Sequence, residues 1–188
     1  LLADHPQRDQ TLMLLLVAIY GVFFLALVSV AQAYFEQRLR GAKSAAQVKN
    51  PILVDGSNVM HWGGDPSLPV VINVLNDLQS HGYTPIVYFD ANVGYKLLNV
   101  HADSRKMAQL LGLARWQVTV VPSRVVADEH LLEMARQINA QIVTNDRYRD
   151  WQAQFPRIGE QGLLIKGRWT GSDVIWRFPQ DLALLEAA

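Results

Sequence analysis

No cysteine occurs anywhere in the chain. That absence excludes a disulfide framework, thiolate zinc sites and a cysteine nucleophile, and it is compatible with a reducing compartment. Net charge is missing too: 17 Lys/Arg stand against 17 Asp/Glu. Residues 1–50 hold five Lys/Arg and three Asp/Glu, whereas residues 51–188 hold twelve and fourteen. A passive nucleic-acid binder is ordinarily basic, because affinity comes largely from neutralising phosphates. A slightly acidic domain can still act on nucleic acid if some of its carboxylates hold cations. There is no Walker-type glycine loop and no dinucleotide fingerprint. No serine–histidine–acid arrangement emerges, and His61, His81, His101 and His130 lack metal-ligand spacing. Gly63-Gly64 is a plain turn signal, and there is no internal repeat or low-complexity tract.

What is present begins with an apolar run. Leu12 to Val30 carries no charge. At ~1.5 Å per residue, about 20 residues cross the ~30 Å hydrocarbon core of a bilayer. A core helix of that length would show a polar face, and this one has none. Tyr34 and Phe35 fall where an interfacial aromatic belt would lie, and Arg38, Arg40, Lys43 and Lys49 follow, against Arg8 alone before. That asymmetry places the C-terminal side in the cytoplasm. Ala31-Gln32-Ala33 has the small-x-small form of a signal-peptidase site. The apolar run exceeds the usual 7–15 residues, however, and Asp4 and Asp9 offset Arg8 in the leading segment. The expectation is an uncleaved, single-pass anchor in the cell (inner) membrane. The chain opens on Leu1 rather than methionine, as expected of a trimmed or unusually initiated N-terminus.

The organisation expected is an N-terminal transmembrane segment over 1–35 (span about 12–31), a juxtamembrane linker over 36–50, a folded domain over 51–180 and a tail over 181–188. Apolar β-branched runs predict strands at Ile52–Val54, Pro85–Phe89, Val118–Val121 and Gln141–Thr144, with later strands at Gly162–Lys166 and Val174–Phe178. Helical spacing predicts helices over Val70–Gln79, Ser104–Leu111 and Val126–Asn139, with a short one over Tyr148–Gln154. Asp103 or Ser104 caps the second. Strands alternating with helices imply right-handed crossovers and an α/β parallel sheet with helices on both faces.

The chemistry sits behind two of those strands. Asp55-Gly56-Ser57-Asn58 follows Ile52-Leu53-Val54, and Thr144-Asn145-Asp146 follows Ile142-Val143. Ligands collect at the C-terminal ends of strands in open parallel sheets. Carboxylates delivered to one such edge suit Mg2+ or Mn2+, which prefer oxygen ligands. Asp55 and Asp146 are the first candidates. Asp128-Glu129 open the third helix, where a carboxylate could simply cap the helix or could point into the cleft. Asp150 lies one turn beyond Asp146 if that segment is helical, and Asp90 ends the second strand at the same edge. Asn58 either caps a turn or orients a ligand; Ser57 either caps or contacts phosphate.

These residues resemble a known family. Val54-Asp55-Gly56-Ser57-Asn58-Val59, Pro122-Ser123-Arg124, Asp128-Glu129 and Thr144-Asn145-Asp146-Arg147-Tyr148-Arg149-Asp150 are similar to the NYN branch of the PIN-like nucleases, and most of all to the regnase-type ribonuclease domain. The order and spacing hold over residues 51–178. The resemblance implies a Rossmann-like (PIN-like) sheet and a metal-dependent endoribonuclease leaving 5′-phosphates. It assigns catalytic roles to Asp55, Asn58, Asp128, Glu129, Asp146 and Asp150. Asp55, Asp146 and Asp128 or Glu129 would hold the metal. There are departures: Glu129 stands where the regnase pattern has aspartate, the family's zinc finger is absent, the loop from Asp90 to His101 differs, and a membrane anchor is not part of the pattern. Ser57, Arg124, Arg147, Arg149, Lys166 and Arg168 are candidates for RNA contacts. Tyr148, Trp151 and Trp169 could stack on bases or pack in the core. The substrate expected is RNA in single strands or loops, and a homo-oligomer stays open. An inactive, membrane-tethered RNA-binding scaffold is the alternative function. A phosphatase of the haloacid dehalogenase type would need a second aspartate two residues after Asp55, where Ser57 stands.

Overall fold

A computed structural model describes residues 5–46 and 48–177. Phe178, expected to close the last strand, and the tail lie outside the described residues. The chain divides into two units, 1–40 and 41–188.

Helix α1, His5–Ala46, begins in the first unit. Its segment Leu12–Ala33 is 22 residues long with a mean hydropathy of 2.7, and its side chains are not buried. That is about 33 Å of helix, so α1 is long and apolar enough to cross a membrane. The Ser29 hydroxyl in the run is satisfied internally, because Oγ donates to the Leu25 carbonyl at 2.9 Å. Most of the segment expected to be a linker is helical, since α1 continues to Ala46.

The second unit is a six-stranded sheet in the order β3-β2-β1-β4-β5-β6. The strands are β1 Pro51–Asp55, β2 Thr84–Phe89, β3 Val118–Val120, β4 Gln141–Val143, β5 Leu164–Trp169 and β6 Val174–Arg177. Strands β1 to β5 pair in parallel. The expected parallel sheet is thus found, with one addition: strand β6 pairs antiparallel with β5 at its edge. The cause is length: the connection Thr170–Asp173 is a tight turn closed by Thr170 N–H to the Asp173 carbonyl, far short of a parallel crossover.

Alternating side chains of the buried strands face opposite layers. Ile52, Val54, Val87, Phe89 and Ile165 pack with α3 (Leu68–Ser80) and α5 (Ser104–Leu111) through Val71, Val74, Leu75, Leu78, Met107 and Leu111. Leu53, Ile86, Tyr88 and Ile142 pack on the other face with Leu131, Leu132, Met134 and Ala135 of α6 (Ala127–Ile138). Caps set the helix starts. Ser67 Oγ accepts from Val70 N and Pro69 occupies the first turn of α3; Asp103 accepts from Lys106 N at α5. Two short helices complete the unit: α2 (Gly56–Val59), directly behind β1, and α4 (Val93–Leu98), where sequence reading expected a loop.

Candidate active site

In this strand order the chain turns outward in both directions from β1 and β4, so their adjacent C-terminal ends form the topological switch point where α/β sheets bind ligands. Asp55 ends β1 and Thr144-Asn145-Asp146 follows β4. Register brings them together, with Val54 opposite Val143.

Asp55 is 7 % exposed, and its oxygens are unequally engaged. Oδ1 accepts the Asn58 amide at 3.0 Å. Oδ2 accepts two hydroxyls, Thr144 Oγ1 at 3.0 Å and Tyr148 OH at 2.7 Å. With two lone pairs per oxygen, Oδ2 is saturated and Oδ1 keeps one acceptor position. Burial raises the Asp55 pKa above its ordinary value; the Tyr148, Asn58 and Thr144 hydrogen bonds pull it back, and the Asp90 charge pushes it up. Gly56 fits the tight turn behind Asp55 because a Cβ there would meet the Phe89 ring at 2.3 Å.

Asp146 is exposed, and its Oδ1 accepts the Tyr148 amide at 2.8 Å. Asp128, in the first turn of α6, is half-buried and its carboxyl is pushed up to about 6 by burial and by repulsion from Asp55, Asp146 and Asp90, against a hydrogen bond from Trp151. Four carboxyls therefore share one field. Sequence reading placed Asp90 at this edge without giving it a site role. Glu129 is exposed on the same turn, whereas Asp128 is half-buried toward the other carboxyls. Asp150 is exposed in the one-turn 3-10 helix Arg149–Trp151 and is not among the charges acting most strongly on Asp55 or Asp128. Among the described residues, no three His, Asp or Glu side chains form a ready-made ion cage.

Asn58 acts as a tie between loops. Its Oδ1 accepts from Trp62 Nε1 at 2.9 Å and from Asn145 N at 2.9 Å, clamping the turn after β1 to the turn after β4. Asn145 extends the tie to β5, with Nδ2 donating to the Gly167 carbonyl at 2.8 Å. Ser57 Oγ accepts Asp90 N at 2.9 Å and holds the end of β2. Lys166 donates to the Asp146 carbonyl, and burial lowers its pKa, with attraction to Asp146 opposing and repulsion from Arg147 adding. Arg124, Arg147, Arg149 and Arg168 are exposed and make no ion pair among the described residues. Arg124 sits at φ 70 in the turn before α6. Tyr148 is 3 % exposed in the core, and Trp151 packs beside it, its ring 6.2 Å from Phe155.

A family model for the Zc3h12a-like ribonuclease NYN domain matches residues 48–176. The chain belongs to the Zc3h12a-like NYN ribonuclease family. The match runs from before β1 into β6, contains every carboxyl described above and lies within the second unit. No curated protein matches the chain significantly. Two solved structures of Arabidopsis thaliana nuclear protein-only RNase P 2 (PRORP2) are similar in fold, with TM-scores of 0.58 and 0.59 at 16% identity. Each alignment covers 85% of this chain, and the chain spans 36% of the length of each. At that identity the likeness establishes the NYN fold alone.

Proposed function

We propose that the protein is a membrane-anchored, divalent-metal-dependent endoribonuclease acting on single-stranded or loop RNA. The observation that carries this reading is the convergence of Asp55 and Asp146 at the switch point, with the Asp128 carboxyl raised by burial and then by their charges. Such crowding of like charges is relieved by a cation. The donor set is all oxygen, as Mg2+ and Mn2+ require. Because no three of these groups form a cage, the fit is to an ion held by one or two carboxylates and completed by water and substrate phosphate, as Mg2+ commonly is. Asp55 Oδ1 and Asp146 Oδ2 are the oxygens left open, and Asp128, coupled by charge to both, is the candidate to join them. A bound dication supplies an acidified water and offsets charge in phosphodiester hydrolysis.

Lys166, Arg147 and Arg168 line the same sheet edge and are suited to contact the RNA backbone. Few cations surround an open edge, which suits a short flexible strand better than a duplex. The apolar stretch Leu12–Ala33 supports a bilayer anchor, and the Lys/Arg excess after it supports a nuclease domain on the cytoplasmic side of the cell membrane.

The test is incubation of the detergent-purified chain with RNA and DNA of one sequence, with Mn2+ or with a chelator. Metal-dependent cleavage of RNA alone is expected. Equal cleavage of both polymers removes the RNA preference; cleavage in chelator removes the metal; no cleavage leaves an RNA-binding scaffold.

A further inference from the structure

Tyr148 touches both strand-end carboxyls. Its backbone N–H donates to Asp146 Oδ1 at 2.8 Å and its phenol donates to Asp55 Oδ2 at 2.7 Å. The backbone bends to allow this, because Tyr148 adopts φ 45, ψ 42. A bulky residue enters that left-handed region only when its surroundings hold it there. The ring is buried against the α6 layer, so the phenol meets Asp55 from inside the core. Thr144 repeats the pattern. Its hydroxyl donates to Asp55 Oδ2 at 3.0 Å and accepts Asp146 N at 3.0 Å.

We infer that Tyr148 is a positioning residue that, with Thr144, locks Asp55 and Asp146 as a preset pair of single-oxygen ligands. One oxygen of each carboxylate is pinned inward, Oδ2 of Asp55 and Oδ1 of Asp146. The opposite oxygens keep open acceptor positions before any ion arrives, one on Asp55 Oδ1 beside its bond from the Asn58 amide and those on Asp146 Oδ2. Tyr148 acts through the carboxylates and does not itself reach the substrate. Partners that orient metal ligands in this way are worth about 10–100-fold in metal affinity. The motif position that sequence reading assigned to base stacking or core packing thus carries ligand geometry.

This inference rests on the metal-dependent reading, and its test separates the two. Mn2+ binding is measured by calorimetry on the detergent-purified chain without RNA, for the parent, Tyr148→Phe, Thr144→Val and Thr144→Ser, with a melting curve for each. Tyr148→Phe keeps the ring and the amide bond to Asp146 and loses only the phenol bond. The expected result is Mn2+ binding weakened about 10–100-fold in Tyr148→Phe and in Thr144→Val, with Thr144→Ser close to the parent. Turnover by Tyr148→Phe returns toward the parent as Mn2+ is raised. Parent-like Mn2+ affinity in folded Tyr148→Phe overturns the lock and leaves the metal reading standing. No Mn2+ binding by the parent removes both. If Tyr148→Phe does not fold, equal affinity in Thr144→Val and Thr144→Ser overturns the lock in its place.

Discussion

Asp128→Asn should make the domain more stable as pH rises, although it removes a charge from the candidate active site. The parent carboxyl moves from 3.8 to about 6 on folding, through burial first and then repulsion from Asp55, Asp146 and Asp90. The native state therefore binds more protons than the unfolded chain between about pH 4 and pH 6, and the stability due to this group falls through that window and is flat above it. Unscreened, the displacement corresponds to about 3 kcal/mol. Water at a half-buried side chain reduces this to about 1–2 kcal/mol. Asparagine has no proton to lose in this range, and its amide oxygen can still accept from Trp151. Urea unfolding at pH 4, 6 and 8 without divalent ions reads the difference. The stability of Asp128→Asn relative to the parent should grow by about 1–2 kcal/mol from pH 4 to pH 8, and added Mn2+ at pH 8 should favour the parent. Parallel curves for the two proteins across this range would refute the claim that Asp128 shares a field with Asp55 and Asp146.

Other substitutions test the frame around the site. Gly56→Ala drives a Cβ to within 2.3 Å of the Phe89 ring and should destabilise by about 1–3 kcal/mol, read as a lower melting temperature. An unchanged melting temperature would mean that the β1 turn is looser than described. Asn58→Ala leaves the Trp62 indole and the Asn145 amide without their acceptor; a loss of about 1–3 kcal/mol by urea unfolding is expected, with reduced RNA cleavage at saturating Mn2+. Deleting residues 1–33 should release the protein from vesicles in a flotation assay, and continued flotation would place the membrane contact elsewhere.

Much of this layout was legible in the sequence because its signals are local. Ile52–Val54 announced a buried strand, Asp103 announced the start of α5, and the spacing of Val71, Val74, Leu75 and Leu78 announced the inward face of α3. The direction of β6 was within reach too, since Gly171-Ser172 between two short apolar runs leaves no room for a crossover. Helix α4, at six residues, is too short for periodicity to register. The split between Asp128 and Glu129 depends on which side of α6 meets the sheet, a tertiary fact. Asp90 reaches the group only because β2 lies beside β1. The double contact of Tyr148 was hidden because no propensity places tyrosine at positive φ; the pull of two carboxyls and a core pocket does so. The ties through Asn58 and Thr144 join residues 87 and 89 positions apart, which no local pattern reports.

The most direct test of the central claim is single-turnover RNA cleavage in saturating Mn2+ by the parent and by Asp146→Asn. The amide oxygen of asparagine can keep the bond from Tyr148 N while the negative charge is lost, so the melting temperature should hold. A fall in rate of at least about 100-fold is predicted, since losing a direct ligand exceeds the effect of losing one of its partners. Parent-like cleavage by folded Asp146→Asn would contradict the assignment of this sheet edge as the place where phosphodiester bonds are hydrolysed.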